Sequence, residues 1–291
     1  MFVLGVSLAV LIGVTLGLLG GGGSILTVPI LLYVFRLPPD QAITSSLLVV
    51  GTTSVVALVP HARAGRVRWS TGALFGVASM VGAFLGGRLS SRLPPAALVL
   101  AFGAMMLVTA AAMMRPRRAD AGPAAPADAP LPLGRIAVQG GFVGAVTGLV
   151  GAGGGFLVVP ALVLLGRLPM TAAVGTSLLV IAMNSVAGFA GHLAGSHVPW
   201  GVALPVTAAA VLGSVVGSRL AGRIPPDVLR RGFAWFVVVM AVFVLGQEVP
   251  KLFGVTVSLA RHWPLFLVAM GAPPAAAAAL AVARRTHPAG T

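Results

Sequence analysis

The chain has no cysteine and only five acidic residues. The first absence excludes disulfides, thiolate metal sites and a cysteine nucleophile, and leaves the redox compartment unreadable. The second says more. Asp40, Asp120, Asp128, Asp227 and Glu248 all fall in expected loops or at expected helix ends. Intramembrane carboxylates are the common devices for binding cations and relaying protons. Their absence argues against a metal-cation carrier and against a carboxylate-coupled antiporter. No nucleophile–base arrangement or metal-ligand spacing points to an enzyme, and no cofactor or metal is implied. No phosphate-binding GxxxxGK[ST] loop occurs either.

What is present is apolar. Of 291 residues, 58% are hydrophobic and 8% charged, and the mean hydropathy is +1.04. A soluble domain needs no such composition, so the chain reads as an all-α polytopic membrane protein whose first partner is the lipid bilayer. The net charge of +14 does not point to nucleic acid, because the arginines sit in short clusters between apolar runs. That is the pattern of cytoplasmic loops facing anionic lipid. No Lys or Arg precedes Arg36, so the first segment reads as a retained helix and not a cleaved signal peptide.

Two stretches are versions of one another. Residues 13–38 read GVTLGLLGGGGSILTVPILLYVFRLP, and residues 144–169 read GAVTGLVGAGGGFLVVPALVLLGRLP. An offset of 131 aligns them without a gap. Gly13, Gly17, Gly20, Pro29, Arg36 and Pro38 fall on Gly144, Gly148, Gly151, Pro160, Arg167 and Pro169. The same offset joins Ser46 to Ser177, Ser54 to Ser185, His61 to His192 and Arg88 to Arg219.

Residues 2–35 would make one helix roughly 51 Å long, against a hydrocarbon core of about 30 Å. The run must break, and GGGGS at 20–24 is the place. Each copy therefore reads as a glycine-broken helical hairpin followed by three transmembrane helices. The first repeat is 1–114, with a hairpin at 2–36 and helices at 41–60, 70–91 and 95–114. A Pro/Arg-rich cytoplasmic linker occupies 115–134. The second repeat is 135–246, with a hairpin at 136–166 and helices at 171–194, 200–221 and 226–246. Residues 247–291 hold an interfacial segment and one extra C-terminal helix.

Charge sets the orientation of the halves. Loop 61–69 carries Arg63, Arg66 and Arg68, whereas its counterpart at 192–200 carries no arginine. Inverted repeats place 14 of the 19 basic residues on the cytoplasmic side and 5 outside. The N-terminus is then outside and the C-terminus cytoplasmic.

Inverted repeats with broken helices point to a transporter site near the midplane. The second limb of each hairpin would aim its first N–H groups and the positive end of its dipole at the membrane centre. Glycine leaves no side chain between those N–H groups and a small anion. Thr44, Ser45 and Ser46 align with Gly175, Thr176 and Ser177, and Thr53 and Ser54 with Asn184 and Ser185. Neutral donors suit an anion that must bind and then leave. The competing explanations are helix packing through small residues and back-bonding of hydroxyls to the helix. His61 and His192 are the repeated titratable groups besides arginine and could couple protons; a helix-end histidine is more often merely interfacial.

The doubled glycine hairpin, VP, RLP and T/S-S-LL resembles the TauE/SafE (TSUP, sulfite exporter) family of membrane anion transporters, over about residues 5–246. The resemblance implies transport of a small sulfur-containing anion such as sulfite, sulfoacetate or another organosulfonate across the inner membrane, by alternating access. The expected substrate-binding residues are Gly20, Gly22, Gly23, Ser24, Ser45 and Ser46 in the first copy. In the second they are Gly151, Gly153, Gly154, Gly155, Thr176 and Ser177. An anion channel, or a carrier for a different anion, is the alternative. A homodimer is left open.

Overall fold

A computed structural model describes residues 2–90, 95–114, 133–150, 155–192, 198–221 and 223–252. Residues 115–132 of the expected linker, residues 151–154 with Gly151, Gly153 and Gly154, and most of the C-terminal tail lie outside them; the last two linker positions open α6. The described residues form ten helices and no strand. In the first half these are α1 (Phe2–Leu19), α2 (Gly22–Tyr33), α3 (Pro39–Arg63), α4 (Trp69–Ser90) and α5 (Pro95–Met114). In the second they are α6 (Leu133–Val150), α7 (Gly155–Leu164), α8 (Met170–His192), α9 (Trp200–Ala221) and α10 (Pro226–Leu252).

Five of these, α3, α4, α8, α9 and α10, are long and apolar enough to cross a membrane. The 12 residues of α2 and the 10 of α7 reach only about 18 and 15 Å. Neither spans a core of about 30 Å. Gly20 makes the first break. Its φ of +75° lies in the left-handed region, and its N–H still donates to the Leu16 carbonyl at 2.8 Å. A side chain there would be strained. The break is tighter than 20–24: Gly22 and Gly23 already belong to the first turn of α2.

The outer ends of the two short helices close identically. Phe35 N–H donates to Ile30 O at 3.2 Å and Leu37 N–H to Leu31 O at 3.1 Å. At the equivalent positions Gly166 N–H donates to Ala161 O and Leu168 N–H to Leu162 O, both at 3.0 Å. Each closure is made by a left-handed arginine, Arg36 with φ 55° and Arg167 with φ 52°.

The helices divide into two compact units that cut across the sequence halves. One unit holds α1–α4 and α6–α9. Its most extensive packing is α4 on α6 and α1 on α9, which joins one half to the other. In lipid no hydrophobic force pulls apolar helices together, so close backbone approach decides which ones pair. The glycines supply it. A Cβ on Gly13 would collide with the Ala210 carbonyl, and one on Gly17 with that of Ser214. Gly144 meets the carbonyl of Ser79, the partner that the 131 offset maps from Ala210. The register also fixes direction: α1 runs parallel to α9, since positions 13 and 17 meet 210 and 214, and α6 runs parallel to α4, since 140 and 144 meet 75 and 79. By contrast α3 and α8, which are equivalent in the repeat, cross antiparallel, with Gly51 on Ser185 and Leu47 on Gly188. The second unit pairs α5 with α10, also equivalents, and Leu245 fills the space over Gly103.

Candidate functional site

The inner ends of α2 and α7 touch. Ser24, in the first turn of α2, lies against Gly155, the first residue of α7. A Cβ on Gly155 would stand 2.5 Å from Ser24 Oγ and 3.3 Å from Ile181 Cδ1. Ser24 and Gly155 are themselves related by the repeat offset. Two half-helices thus bring their positive ends to one place, deep in the bundle, where Ser24 is 8% exposed. The N-cap of α2 is Gly21, which has no side chain to spend on the first N–H groups. The Ser24 hydroxyl donates backwards, to Gly21 O at 2.7 Å, and so leaves those N–H groups uncapped by it.

The wall of this place is α8. Ser177 Oγ donates to Val174 O at 2.8 Å and lies 3.3 Å from Gly20 O. A Cβ on Gly20 would fall 2.6 Å from Ser177 Oγ. The structure therefore gathers Gly20, Ser24, Gly155 and Ser177, with Gly22 and Gly23 in the same first turn of α2. Thr176 is used differently. Its Oγ1 accepts the N–H of Arg68 at 3.0 Å, which pins the loop before α4 onto α8. Adjacent residues of a helix do not share a face, so Thr176 and Ser177 serve two neighbours.

In the first copy Ser46 Oγ donates to Ile43 O at 2.8 Å, the back-bond expected of a helical serine. Ser45 is fully buried and its Oγ has no hydrogen-bond partner among the described residues. Gly151, Gly153 and Gly154 lie outside those residues, as does the side chain of His192.

His61 is covered by the neighbouring helix. It is 1% exposed, and Nε2 lies 3.2 Å from the carbonyl of Gly17 in α1. That contact assigns the proton to Nε2, while the buried Nδ1 has no partner among the described residues. It ties the end of α3 to α1 three residues before the Gly20 break.

A family model described as "Sulfite exporter TauE/SafE" matches residues 5–244. The chain belongs to the TauE/SafE family. It is 34% identical over 245 residues to a "Probable membrane transporter protein" of Xylella fastidiosa, covering 82% of this chain and 92% of that one. It is 29% identical to the "Probable membrane transporter protein YunE" of Bacillus subtilis, over 75% of this chain and 88% of the relative. A similarly named protein of Methanocaldococcus jannaschii is 27% identical, over 84% and 97%. No solved structure matches.

This TauE/SafE protein is thus a multi-pass membrane transporter. A polar link joins two of the helices long and apolar enough to span a membrane. Asn184 Nδ2 donates to Ser79 Oγ at 3.1 Å, joining α8 to α4. Asn184 aligns with Thr53, whose hydroxyl bonds the Val49 carbonyl of its own helix, and Ser79 aligns with Ala210. Ser79 gives no repeat signal, and only its contact reveals it. Among the described residues no cluster of three or more His, Cys, Asp or Glu could hold a metal.

Proposed function

We propose that the chain is a secondary carrier for a small sulfur-containing anion, sulfite or an organosulfonate such as sulfoacetate, in the inner membrane, and not an enzyme. The anion binds between the inner ends of α2 and α7, held by main-chain N–H groups at 21–24 and 151–155 and by Ser177. The contact of Ser24 with Gly155 carries this reading, because it brings two half-helix N-termini to one point. Inverted halves, with the N-terminus outside and the C-terminus cytoplasmic, are supported by the antiparallel crossing of the equivalent helices α3 and α8. In such a frame one hairpin enters from each face, and rocking of the bundle opens the site to each side in turn. His61, bonded to α1 beside the break, is the residue through which a proton could be coupled.

The test is flux into proteoliposomes containing the purified protein. Saturable uptake of sulfite or sulfoacetate, accelerated by the same anion inside, is the expected result. A conductance orders of magnitude above carrier turnover would make the protein a channel. Flux of carboxylates alone would keep the carrier and change the substrate.

A further inference from the structure

Arg36 and Arg167 stand out on three independent grounds. They are the non-glycine residues with positive φ among the described ones. They occupy the same place in the two copies, at the outer end of a half-helix. Both side chains are exposed.

The shared tripeptide Arg-Leu-Pro can be divided by cause. Leu37 and Leu168 close the turn with their N–H groups, and Leu168 is 7% exposed while Leu37 packs on the core around Leu31. Pro38 is the N-cap of α3, with Pro39 behind it to start the helix. Backbone geometry and packing thus account for Leu and Pro. They do not account for Arg. A left-handed residue is where glycine is favoured, and an exposed arginine there bears a conformational cost that glycine would not. The neighbours have drifted, from Tyr33-Val34-Phe35 to Leu164-Leu165-Gly166, yet the guanidinium stands in both.

Position supplies the reason. The inner ends of α2 and α7 meet at Ser24 and Gly155, and the helices run outward for about 18 and 15 Å, half a hydrocarbon core. With that contact at the membrane midplane, as the carrier reading has it, each arginine stands at the headgroup level. If the halves are inverted, one stands at each face of the membrane. We propose that Arg36 and Arg167 are anion-collecting residues, each raising the local concentration of substrate at the mouth on its own side. A fixed cation suits this task and not the binding site itself: at the mouth it attracts without having to release the anion from a desolvated pocket. The inference rests on the carrier reading above. An interfacial guanidinium also suits a lipid phosphate, so the shared chemistry is an oxyanion, and the experiment separates the two sources.

The decisive variants are Arg36→Gly and Arg167→Gly, because glycine fits φ 55° and 52° and keeps the turn. Initial uptake of radiolabelled sulfite and sulfoacetate would be measured in right-side-out and inverted vesicles, at low and high ionic strength. Each Gly variant is expected to raise KM about tenfold from one face only, at low salt, with kcat kept; that is the low end of electrostatic steering. The two variants should affect opposite faces, high salt should erase the difference, and Arg36→Lys should retain most of the wild-type KM. Unchanged KM at low salt would overturn the proposal. So would an equal loss of kcat from both faces, which marks a structural role. Loss of bound phospholipid in native mass spectrometry with KM unchanged would assign the guanidinium to lipid instead. Wild-type vesicles that move no anion would sink the carrier reading itself, a result distinct from all of these.

Discussion

In the second copy the hydroxyl of Thr176 accepts the N–H of Arg68; in the first, Ser45 holds the same position and its buried hydroxyl has no partner among the described residues. The offset that equates Ser45 with Thr176 equates Arg68 with Pro199, and proline has no N–H to offer. The same division runs through the bundle. Glycine-to-backbone contacts are reciprocal: Gly13 on Ala210 is answered by Gly144 on Ser79, and Gly213 on Val10 by Gly82 on Gly141. Side-chain contacts are not. Asn184 reaches Ser79, whereas the equivalent Thr53 bonds its own helix, and the equivalent of Ser79 is Ala210, which has no hydroxyl to offer. If the halves are inverted as proposed, contacts common to both copies weigh equally on the two states of the carrier, and only those that differ can favour one state. On that reading the glycine contacts are neutral, and the polar contacts are where an inward–outward bias would reside.

The largest expected effect attacks the element both copies share. Gly22→Val with Gly153→Val puts a branched side chain into the first turn of α2 and into the second glycine run, in the way of the N–H groups proposed to hold the anion. Uptake of sulfite or sulfoacetate should be abolished while the purified double variant keeps a sharp size-exclusion peak. Wild-type flux in the well-folded double variant would remove the glycine turns from the site.

The seams come next. A Cβ at Gly13 or Gly144 has no room, because it meets main-chain carbonyl groups and not a flexible side chain. Gly13→Ala and Gly144→Ala should each destabilise by about 1–3 kcal/mol, the usual cost of overpacking. Gly201→Ala, with nothing within 4 Å, should be neutral or stabilising by up to about 1 kcal/mol. Thermal unfolding in detergent measures all three. Unequal losses at Gly13 and Gly144 would break the symmetry of the frame.

Much of this frame was legible from residue order alone. An apolar run too long for one crossing, with glycines in its middle, has to break there, and the run does break at Gly20. The pairing of α1 with α9 and α4 with α6 was not legible. A lipid-embedded helix is apolar all round, so no polar face marks its partner. The burial of His61 was also hidden, because a histidine at a helix end reads as interfacial until the neighbouring α1 is known to cover it. Doublets such as Thr176-Ser177 announce polarity but not which member faces the turns, since that depends on the rotation of α8.

Orientation can be tested on the loops that differ most in charge. The chain is cysteine-free, so Ala64→Cys and Gly195→Cys can each be tagged with a membrane-impermeant maleimide without background. Residue 64 should react from the cytoplasmic side and residue 195 from outside. Labelling of both from one side would end the inverted arrangement, and with it the two-mouth assignment of Arg36 and Arg167.

The smallest expected effect is the most informative about the lining. Thr176→Val keeps the shape of the side chain and removes the acceptor for the Arg68 N–H. It should lower stability by about 1 kcal/mol, the typical net worth of one hydrogen bond, and leave anion binding nearly unchanged. Ser45→Ala removes a hydroxyl with no described partner, so stability should move by no more than about 0.5 kcal/mol. Burying an unpartnered hydroxyl is itself unfavourable, and among the described residues nothing satisfies it. An anion would satisfy it. If Ser45 donates to it, Ser45→Ala should weaken sulfite binding by about 1 kcal/mol, or up to about 3 because the acceptor is charged. Thermal unfolding and isothermal titration of the same two variants resolve the matter. Stability lost only in Thr176→Val, with affinity lost only in Ser45→Ala, would make one copy the brace and the other the contact. The opposite pattern would make Thr176 the contact and leave Ser45 as an unsatisfied group without a function.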